Sequence, residues 1–285
     1  MKVKEAIAFT SQRIGRSEAE VDAKYLVSHV LQKNFTWLKT WHDSELSEQQ
    51  ETTLASLVER RKNGEPIAYI TGEKDFWTLT LETNPSTLIP RPETELLVET
   101  ALEFLANKSR AKVLDLGCGT GAIALAIASE RKNDIIIASD YVAEAVQLAN
   151  RNAIKNRIDN VTFIQSDWFS NIREDDFDLI VSNPPYVEEN DPHLTRGDLR
   201  FEPSSALTAG DNGFADIKTI INEAKNHLVE NGVLLMEHGF EQGERVRSLL
   251  SDVAYNHIET LADLSGLDRI TIAINSMMNT KNANR

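Results

Sequence analysis

The sequence of 285 residues contains a single cysteine, Cys118, and no apolar run long enough to cross a bilayer. A lone cysteine excludes an intramolecular disulfide and a cysteine-rich zinc site, and it is typical of a reducing compartment. A spanning helix needs about 18 apolar residues, and Glu5 interrupts the amino terminus where a signal peptide needs an apolar core. We therefore expect a cytoplasmic protein without membrane contact.

Basic side chains are also few, with 30 Lys and Arg against 44 Asp and Glu and a formal charge of -14. A field of this sign repels phosphate backbones, so we expect no direct binding to nucleic acid. The 41% of hydrophobic and 26% of charged residues are typical of a globular protein. The length suits one large domain or two ordinary ones.

The first 70 or so residues are predicted to be helical. Two capping boxes, at residues 17–20 and 47–50, each precede apolar residues at helical spacing. The predicted buried faces are Val21, Tyr25, Leu26, His29 and Val30 after the first box, and Leu54, Leu57, Val58 and Arg61 after the second. Pro66 is expected to open a further short helix that runs through Ile70.

The rest of the chain changes its pattern. Residues 76–89 alternate apolar with polar side chains, which indicates a strand or hairpin. Beyond them, helical and strand patterns alternate as far as Ile274, which predicts an α/β fold with a mostly parallel sheet covered on both faces. We predict a helical domain over residues 1–72, a β-hairpin linker over 73–90, an α/β domain over 91–278 and a disordered tail over 279–285.

Ligands of open α/β sheets bind beyond the carboxyl ends of the strands, so residues that follow each predicted strand are candidate site residues. After the first strand comes a glycine-rich turn made of Gly117, Cys118, Gly119, Thr120 and Gly121. Asp140 follows the next strand, where a carboxylate suits ribose hydroxyls. A tight strand-to-helix connection is the alternative for the turn and a helix N-cap the alternative for Asp140, but the two features together indicate a ligand site more strongly than either alone.

Two further strand ends carry chemically useful side chains. Asp167 and Trp168 supply a carboxylate for an adenine amino group and an indole for stacking, although a tryptophan alone is more often part of the core.

Asn183, Pro184, Pro185 and Tyr186 follow the strand near residues 177–181. Neither proline has an N–H, so the carbonyls of Asn183 and Pro184 are left as acceptors beside the Asn183 side-chain oxygen. Tyr186 adds a flat face with a polar tip. Two acceptors that converge on a planar NH₂ group would hold its nitrogen still, which indicates a site for alkylating an amide or amino nitrogen.

These residues resemble a class I S-adenosylmethionine-dependent methyltransferase of the N5-glutamine (HemK-type) family. Nearly the whole chain takes part in the resemblance, and the further matching segments are residues 66–72, 76–77, 89–95, 202–203, 206–207 and 237–239. The resemblance implies a Rossmann-like fold, with a seven-stranded mostly parallel sheet and a small helical domain that recognises the substrate. It also implies S-adenosylmethionine as cofactor, S-adenosylhomocysteine as product, no metal and a monomer.

The site roles that follow are implied by the same resemblance. Residues 117–121 wrap the methionine end of the cofactor, Asp140 takes the ribose, and Asp167 with Trp168 borders the adenine. Residues 183–186 hold the substrate, Asn183 and Pro184 are catalytic, and Asn183 also contacts the cofactor. The implied substrate is the glutamine of the Gly-Gly-Gln motif in class I peptide-chain release factors. Cys118 is expected to contribute backbone contacts alone, because no histidine lies nearby in sequence to activate its thiol.

Three alternatives remain open at this stage. A DNA or RNA adenine-N6 methyltransferase also uses Asn-Pro-Pro-Tyr, but it needs a basic face, whereas residues 1–85 carry 11 basic and 13 acidic side chains. A glutamine methyltransferase of a ribosomal protein would need the same site residues. A non-catalytic cofactor-binding protein that acts through interactions is disfavoured by the intact residues 183–186.

Overall fold

The computed structural model describes residues 1–275, which form two compact units. The helical unit consists of residues 1–73 together with the segment 195–201, and the sheet unit contains the other described residues. The predicted tail over 279–285, and the last residues of the domain predicted over 91–278, lie outside the described residues. No helix within residues 1–275 is long and apolar enough to cross a membrane.

The helical unit contains five helices. They are α1 (Val3–Ile14), α2 (Ala19–Leu31), α3 (Phe35–Thr40), α4 (Glu48–Lys62) and α5 (Ile67–Thr71). The capping box predicted at residues 47–50 is confirmed, because Ser47 N–H donates to the Gln50 side chain at 2.9 Å and Gln50 N–H donates to the Ser47 hydroxyl at 3.3 Å. The box predicted at 17–20 is wrong: Glu18 is the N-cap of α2 and makes no side-chain cap.

The buried face of α2 differs from the prediction. Val21 and Tyr25 are 51% and 44% exposed, whereas Ala19, Ala23 and Leu26 are buried. The predicted helix is present, but its buried stripe contains small alanines, which allow close helix contact, in place of the larger Val21 and Tyr25. The four residues predicted for the face of α4 are all buried: Leu54, Leu57, Val58 and Arg61.

Arg61 is held by two carboxylates inside the helical unit. Its Nε donates to Asp22 at 2.7 Å, and its Nη1 donates to Asp198 at 2.9 Å and to the Glu65 carbonyl at 3.0 Å. Burial of a guanidinium is tolerated because its donors are paired in this way. The Arg61–Asp198 pair therefore ties the segment 195–201 to α4, and the Arg61–Asp22 pair ties α2 to the same helix.

The sheet unit contains a hairpin, a seven-stranded sheet and a pair of two-residue strands. The strands are β1 (Glu73–Phe76), β2 (Leu79–Glu82), β3 (Lys112–Leu116), β4 (Ile135–Asp140), β5 (Val161–Gln165), β6 (Phe177–Ser182), β7 (Val187–Glu188), β8 (Thr208–Ala209), β9 (Leu228–Glu237), β10 (Asn256–Ala262) and β11 (Asp268–Ile274). The large sheet has the order β10-β11-β9-β6-β3-β4-β5. Its β3, β4, β5, β6 and β9 are parallel, and β11 runs antiparallel to both neighbours, which confirms the predicted mostly parallel sheet.

Helices cover both faces of this sheet. They are α6 (Glu95–Leu105), α7 (Ala122–Glu130), α8 (Ala143–Asn156), α10 (Ala215–His227) and α11 (Gly243–Asp252). The distorted turn α9 (Gly210–Gly213) contacts β7 and β8, and short 3-10 turns occupy Pro92–Thr94, Pro192–Thr195, Leu199–Phe201 and Ser204–Ala206. Val113 and Leu114 are neighbours in β3 but belong to different hydrophobic clusters, one with α6 and α7 and the other with α10 and α11. Because side chains alternate along a strand, each face of the sheet has its own core, and the parallel strands end at one shared edge.

Candidate active site

A cavity of about 370 Å³ opens at the carboxyl ends of β3, β4, β5 and β6. Its size is suitable for a small-molecule ligand. Nine of the twelve site residues predicted from the sequence form its wall: Gly117, Cys118, Gly119, Thr120, Asp140, Asp167, Trp168, Asn183 and Pro185. The other three, Gly121, Pro184 and Tyr186, are not among its lining residues.

The glycine turn is tied to the end of β4 by its backbone. Gly117 and Cys118 both donate their N–H to the Ser139 carbonyl, at 2.8 and 2.9 Å. Gly117, Gly119 and Gly121 have φ of 73°, 54° and 81°, in the left-handed region that favours glycine. A Cβ on Gly121 would lie 3.1–3.3 Å from side chains of the core, so this glycine serves the packing of α7 rather than the cavity.

Asp140 joins the turn to the start of α8. Its Oδ2 accepts from Gly119 N–H and its Oδ1 accepts from Val142 N–H, both at 2.9 Å. Val142, not Asp140, is the N-cap of α8, so the simple N-cap interpretation is wrong. Burial raises the pKa of Asp140, and the two N–H bonds oppose that rise. Each oxygen keeps a further lone pair for a ligand hydroxyl at the cavity wall.

Asp115 lies fully buried in β3, just before the turn, and the sequence reasoning missed it. Its Oδ2 accepts from Ala124 N–H at 3.1 Å in the first turn of α7, and its Oδ1 has no hydrogen-bond partner. Asp115 therefore places a carboxylate at the N-terminus of α7, where the helix dipole favours negative charge. Burial raises the pKa of Asp115 to about 7, and the Asp140 charge adds to the rise. Burial thus raises the pKa values of both Asp115 and Asp140. A positively charged ligand would stabilise their ionised forms, so the two carboxylates favour such a ligand.

An aromatic wall faces the glycine turn. A Cβ built on Gly117 would lie 3.6 Å from the Trp168 ring, so glycine keeps this part of the cavity open. Burial raises the pKa of Asp216, and a hydrogen bond from the Trp168 side chain opposes the rise. Asp216 and the exposed Asp167 both line the cavity with Trp168. Asp216 follows Asp167 by almost fifty residues, and no sequence signal connects the two.

The residues after β6 divide between the cavity and the protein interior. Asn183 is half-buried, and its Nδ2 donates to the Thr94 hydroxyl at 3.2 Å. Pro184 is buried. The Tyr186 hydroxyl donates to Glu237 at 3.5 Å and its carbonyl accepts from Gln242 at 2.9 Å, so the predicted polar tip is used within the protein. Burial raises the pKa of the Tyr186 hydroxyl.

Residues 86–94 supply a wall that the sequence reasoning only partly recognised. Arg91 lines the cavity and also forms an ion pair with Glu202, whose side chain is fully buried. Glu202 accepts from Ile89 N–H as well, at 3.2 Å. Glu95, which shares the motif with Arg91, accepts from Trp77 N–H at 2.9 Å instead. Within residues 1–275, no group of three or more His, Cys, Asp or Glu side chains is placed to hold a metal ion.

Cys118 lies in the wall with its side chain buried. Burial raises the pKa of its thiol well above the ordinary value, and the Asp115 and Asp140 charges raise it further. The thiol is therefore neutral and a poor nucleophile near neutral pH. This agrees with a contribution through the backbone of the turn.

Comparison with known proteins finds related families for both units. Residues 4–72 match the model of the PrmC N-terminal domain, and residues 92–198 match that of the methyltransferase small domain. The chain is 48% identical to the release factor glutamine methyltransferase of Shewanella oneidensis, with 93% of this chain and 92% of the relative covered. It is 49% identical to the same-named protein of Escherichia coli, with 88% and 90% covered. A T. thermophilus 16S rRNA methyltransferase, solved with AdoMet and guanosine, shares the fold at 20% identity and a TM-score of 0.54, covering 71% of this chain and 49% of that one.

Proposed function

Since the chain belongs to the release factor glutamine methyltransferase family, we propose that it methylates the side-chain amide nitrogen, N5, of the glutamine in the Gly-Gly-Gln motif of class I release factors. The methyl donor is S-adenosylmethionine, and the product is S-adenosylhomocysteine. The observation that carries the proposal is Asn183 at the cavity edge, where Thr94 accepts from its Nδ2 and its Oδ1 is left for a substrate NH₂ group.

The residues of the cavity fit this cofactor. S-adenosylmethionine carries an ammonium and a sulfonium group. The carboxylate of Asp140 lies in the cavity wall and the carboxylate of Asp115 is buried close to it, and both favour positive charge in the cavity. We assign the methionine end to the turn at residues 117–120, the ribose hydroxyls to Asp140, and the adenine to the wall formed by Asp167 and Trp168. The bound cofactor supplies an electrophilic methyl group.

The protein mainly has to align the reacting nitrogen. An amide nitrogen is a poor nucleophile because its lone pair is delocalised into the carbonyl. Acceptance of its two N–H bonds by Asn183 Oδ1 and the Pro184 carbonyl would localise the lone pair and point it along the line of displacement. A strong base is not needed, since an N-protonated amide is acidic enough to lose its proton after transfer.

Selection of the target is assigned to residues 1–72. A glutamine side chain is common to all proteins, so contacts remote from the methyl group have to select the release factor. The proposal therefore retains the predicted division into a recognition domain, a hairpin linker over 73–90 and a catalytic domain from residue 91. It also retains a cytoplasmic monomer that binds no nucleic acid, which the charge of -14 supports.

Incubation with labelled S-adenosylmethionine and separated release factors, ribosomal proteins and DNA tests the proposal. We expect label in the release factors and none above background in the other two fractions. The matched control is Asn183→Ala, which should lose the label while it still binds S-adenosylhomocysteine. Label that enters ribosomal proteins or DNA instead would overturn the substrate assignment.

A further inference from the structure

We infer that Gln242 is a positioning residue for the methyl-accepting glutamine, because its side-chain amide holds one end of the substrate segment, residues 183–186. The inference rests on the proposed function, which gives these four residues the task of holding the substrate. Gln242 lies in the turn that joins β9 to α11. Residues 237–239 at the start of this turn share in the resemblance, but they carry none of the roles assigned above.

The substrate segment joins β6 to β7 and belongs to no helix or strand itself. Pro184 and Pro185 lack an N–H, so no backbone ladder can run through them. The geometry of the segment therefore depends on the groups that hold its two ends. At the first end, Ser182 is fully buried and its hydroxyl donates to the Leu116 carbonyl at 2.8 Å. This bond ties the segment to β3 just before the glycine turn.

At the second end, the Tyr186 carbonyl accepts from Gln242 Nε2 at 2.9 Å. The Tyr186 side chain contributes less, because its hydroxyl reaches Glu237 only at 3.5 Å. Gly213 borders the same carbonyl. A Cβ on Gly213 would overlap the Tyr186 carbonyl oxygen and would lie 3.0 Å from Gln242 Nε2. Glycine thus leaves the room that the bond between Tyr186 and Gln242 needs.

The orientation of the Gln242 amide follows from its two neighbours. Its Oε1 accepts from Gly239 N–H at 2.8 Å, and a backbone N–H can only donate. Its Nε2 faces the Tyr186 carbonyl, which can only accept. A flipped amide would set two donors against each other and two acceptors against each other. One orientation alone satisfies both contacts, so the amide links the turn after β9 to the substrate segment.

A shift at Tyr186 is passed on to the groups that hold the reacting nitrogen. The Pro184 carbonyl, which is assigned to the substrate NH₂ group, lies two residues before Tyr186. Each proline ring fixes φ of its own residue, so the intervening backbone has little freedom to absorb a displacement. A displacement of about 1 Å between reacting groups can lower a rate by about 100-fold. Gln242 itself is not among the residues that line the cavity, so its loss should affect cofactor binding much less than methyl transfer.

Gln242→Glu tests the inference, because it keeps an oxygen for Gly239 N–H and replaces the donor to the Tyr186 carbonyl with a second oxygen. We expect kcat on a release factor to fall by about 10- to 100-fold, whereas Kd for S-adenosylhomocysteine changes by less than about threefold. A short Gly-Gly-Gln peptide should show the same relative loss, since the misplaced groups lie at the reacting glutamine. Gln242→Met has a side chain of similar length without a charge, and it gives the same readout if Gln242→Glu does not fold.

Asn156→Asp is the matched control. Asn156 is also half-buried in the sheet unit, and its Nδ2 donates to the Thr80 carbonyl at 3.2 Å, so the variant loses the same kind of bond. Its kcat should stay within about twofold of the wild type. A normal kcat for a folded Gln242→Glu or Gln242→Met would overturn the inference, as would an equal loss of cofactor affinity, which indicates a general structural role. A wild-type protein that labels no release factor would instead overturn the proposed function.

Discussion

Replacement of Asp140 by alanine is expected to weaken the binding of both S-adenosylmethionine and S-adenosylhomocysteine. Loss of charge-assisted hydrogen bonds to ribose hydroxyls costs about 1–3 kcal/mol, which corresponds to roughly 5- to 150-fold in Kd. A second contribution is indirect, because Gly119 N–H and Val142 N–H lose their acceptor, and the glycine turn loses a tie to β4. The loss for alanine should therefore reach the upper part of that range.

Asp140→Asn separates the two contributions. The asparagine oxygen still accepts from one of the two N–H groups, but its NH₂ faces the other, and the charge is gone. We expect an affinity between those of the wild type and Asp140→Ala. Asp175→Ala is the control, since it removes the same charge from an exposed position outside the cavity.

Titration calorimetry measures these affinities, and thermal unfolding shows whether each variant is folded. Burial raises the pKa of Asp140, so wild-type affinity for the cationic cofactor should also rise with pH as the carboxyl ionises. A folded Asp140→Ala protein with unchanged affinity for both ligands would refute the ribose assignment.

Three further changes test other parts of the structure. Asn183→Ala should lower methyl transfer by about 10²-fold or more and cofactor affinity much less, because alignment acts in the transition state; single-turnover kinetics and calorimetry compare the two. Arg61→Ala should destabilise the helical unit by about 3–5 kcal/mol, because it leaves the buried Asp22 unpaired. The control Arg13→Ala, which removes the exposed Arg13–Glu59 pair, should cost less than about 1 kcal/mol. Denaturant unfolding measures both losses. Asp115→Asn should raise the melting temperature above that of the wild type near pH 8, with a smaller gap near pH 5. The reason is that the pKa of Asp115 is about 7 in the folded protein and lower in the unfolded chain. The free energy of unfolding of the wild type therefore falls by up to about 4 kcal/mol as the pH rises from the unfolded pKa to the folded pKa. Equal melting temperatures of Asp115→Asn and the wild type at both pH values would contradict a raised pKa for Asp115.

Much of the fold follows from the sequence because its elements are short and periodic. The alternation of helical and strand patterns predicted beyond residues 76–89 is present as a seven-stranded, mostly parallel sheet with helices on both faces. The error in α2 has a physical origin. Periodicity identifies a helix, but which stripe is buried depends on neighbours, and Ala19 and Ala23 are too small to signal it.

The site was predictable where it follows strand ends. Parallel strands share one edge, so Gly117, Asp140, Trp168 and Asn183 meet at one cavity. Asp216 joins the cavity wall only through the tertiary fold, far along the chain from Asp167 and Trp168, which no local pattern records. Asp115 lies two residues before the predicted glycine turn, but that its Oδ1 lacks a hydrogen-bond partner is visible only in the three-dimensional structure.

Location of the transferred methyl group tests the central claim most directly. A class I release factor is incubated with the protein and S-adenosylmethionine, then digested and fragmented in a mass spectrometer, with Asn183→Ala as the matched control. We predict one added methyl on the side-chain amide of the Gly-Gly-Gln glutamine with the wild type, and almost none with the variant. A methyl on another residue, or equal methylation by both proteins, would contradict the account.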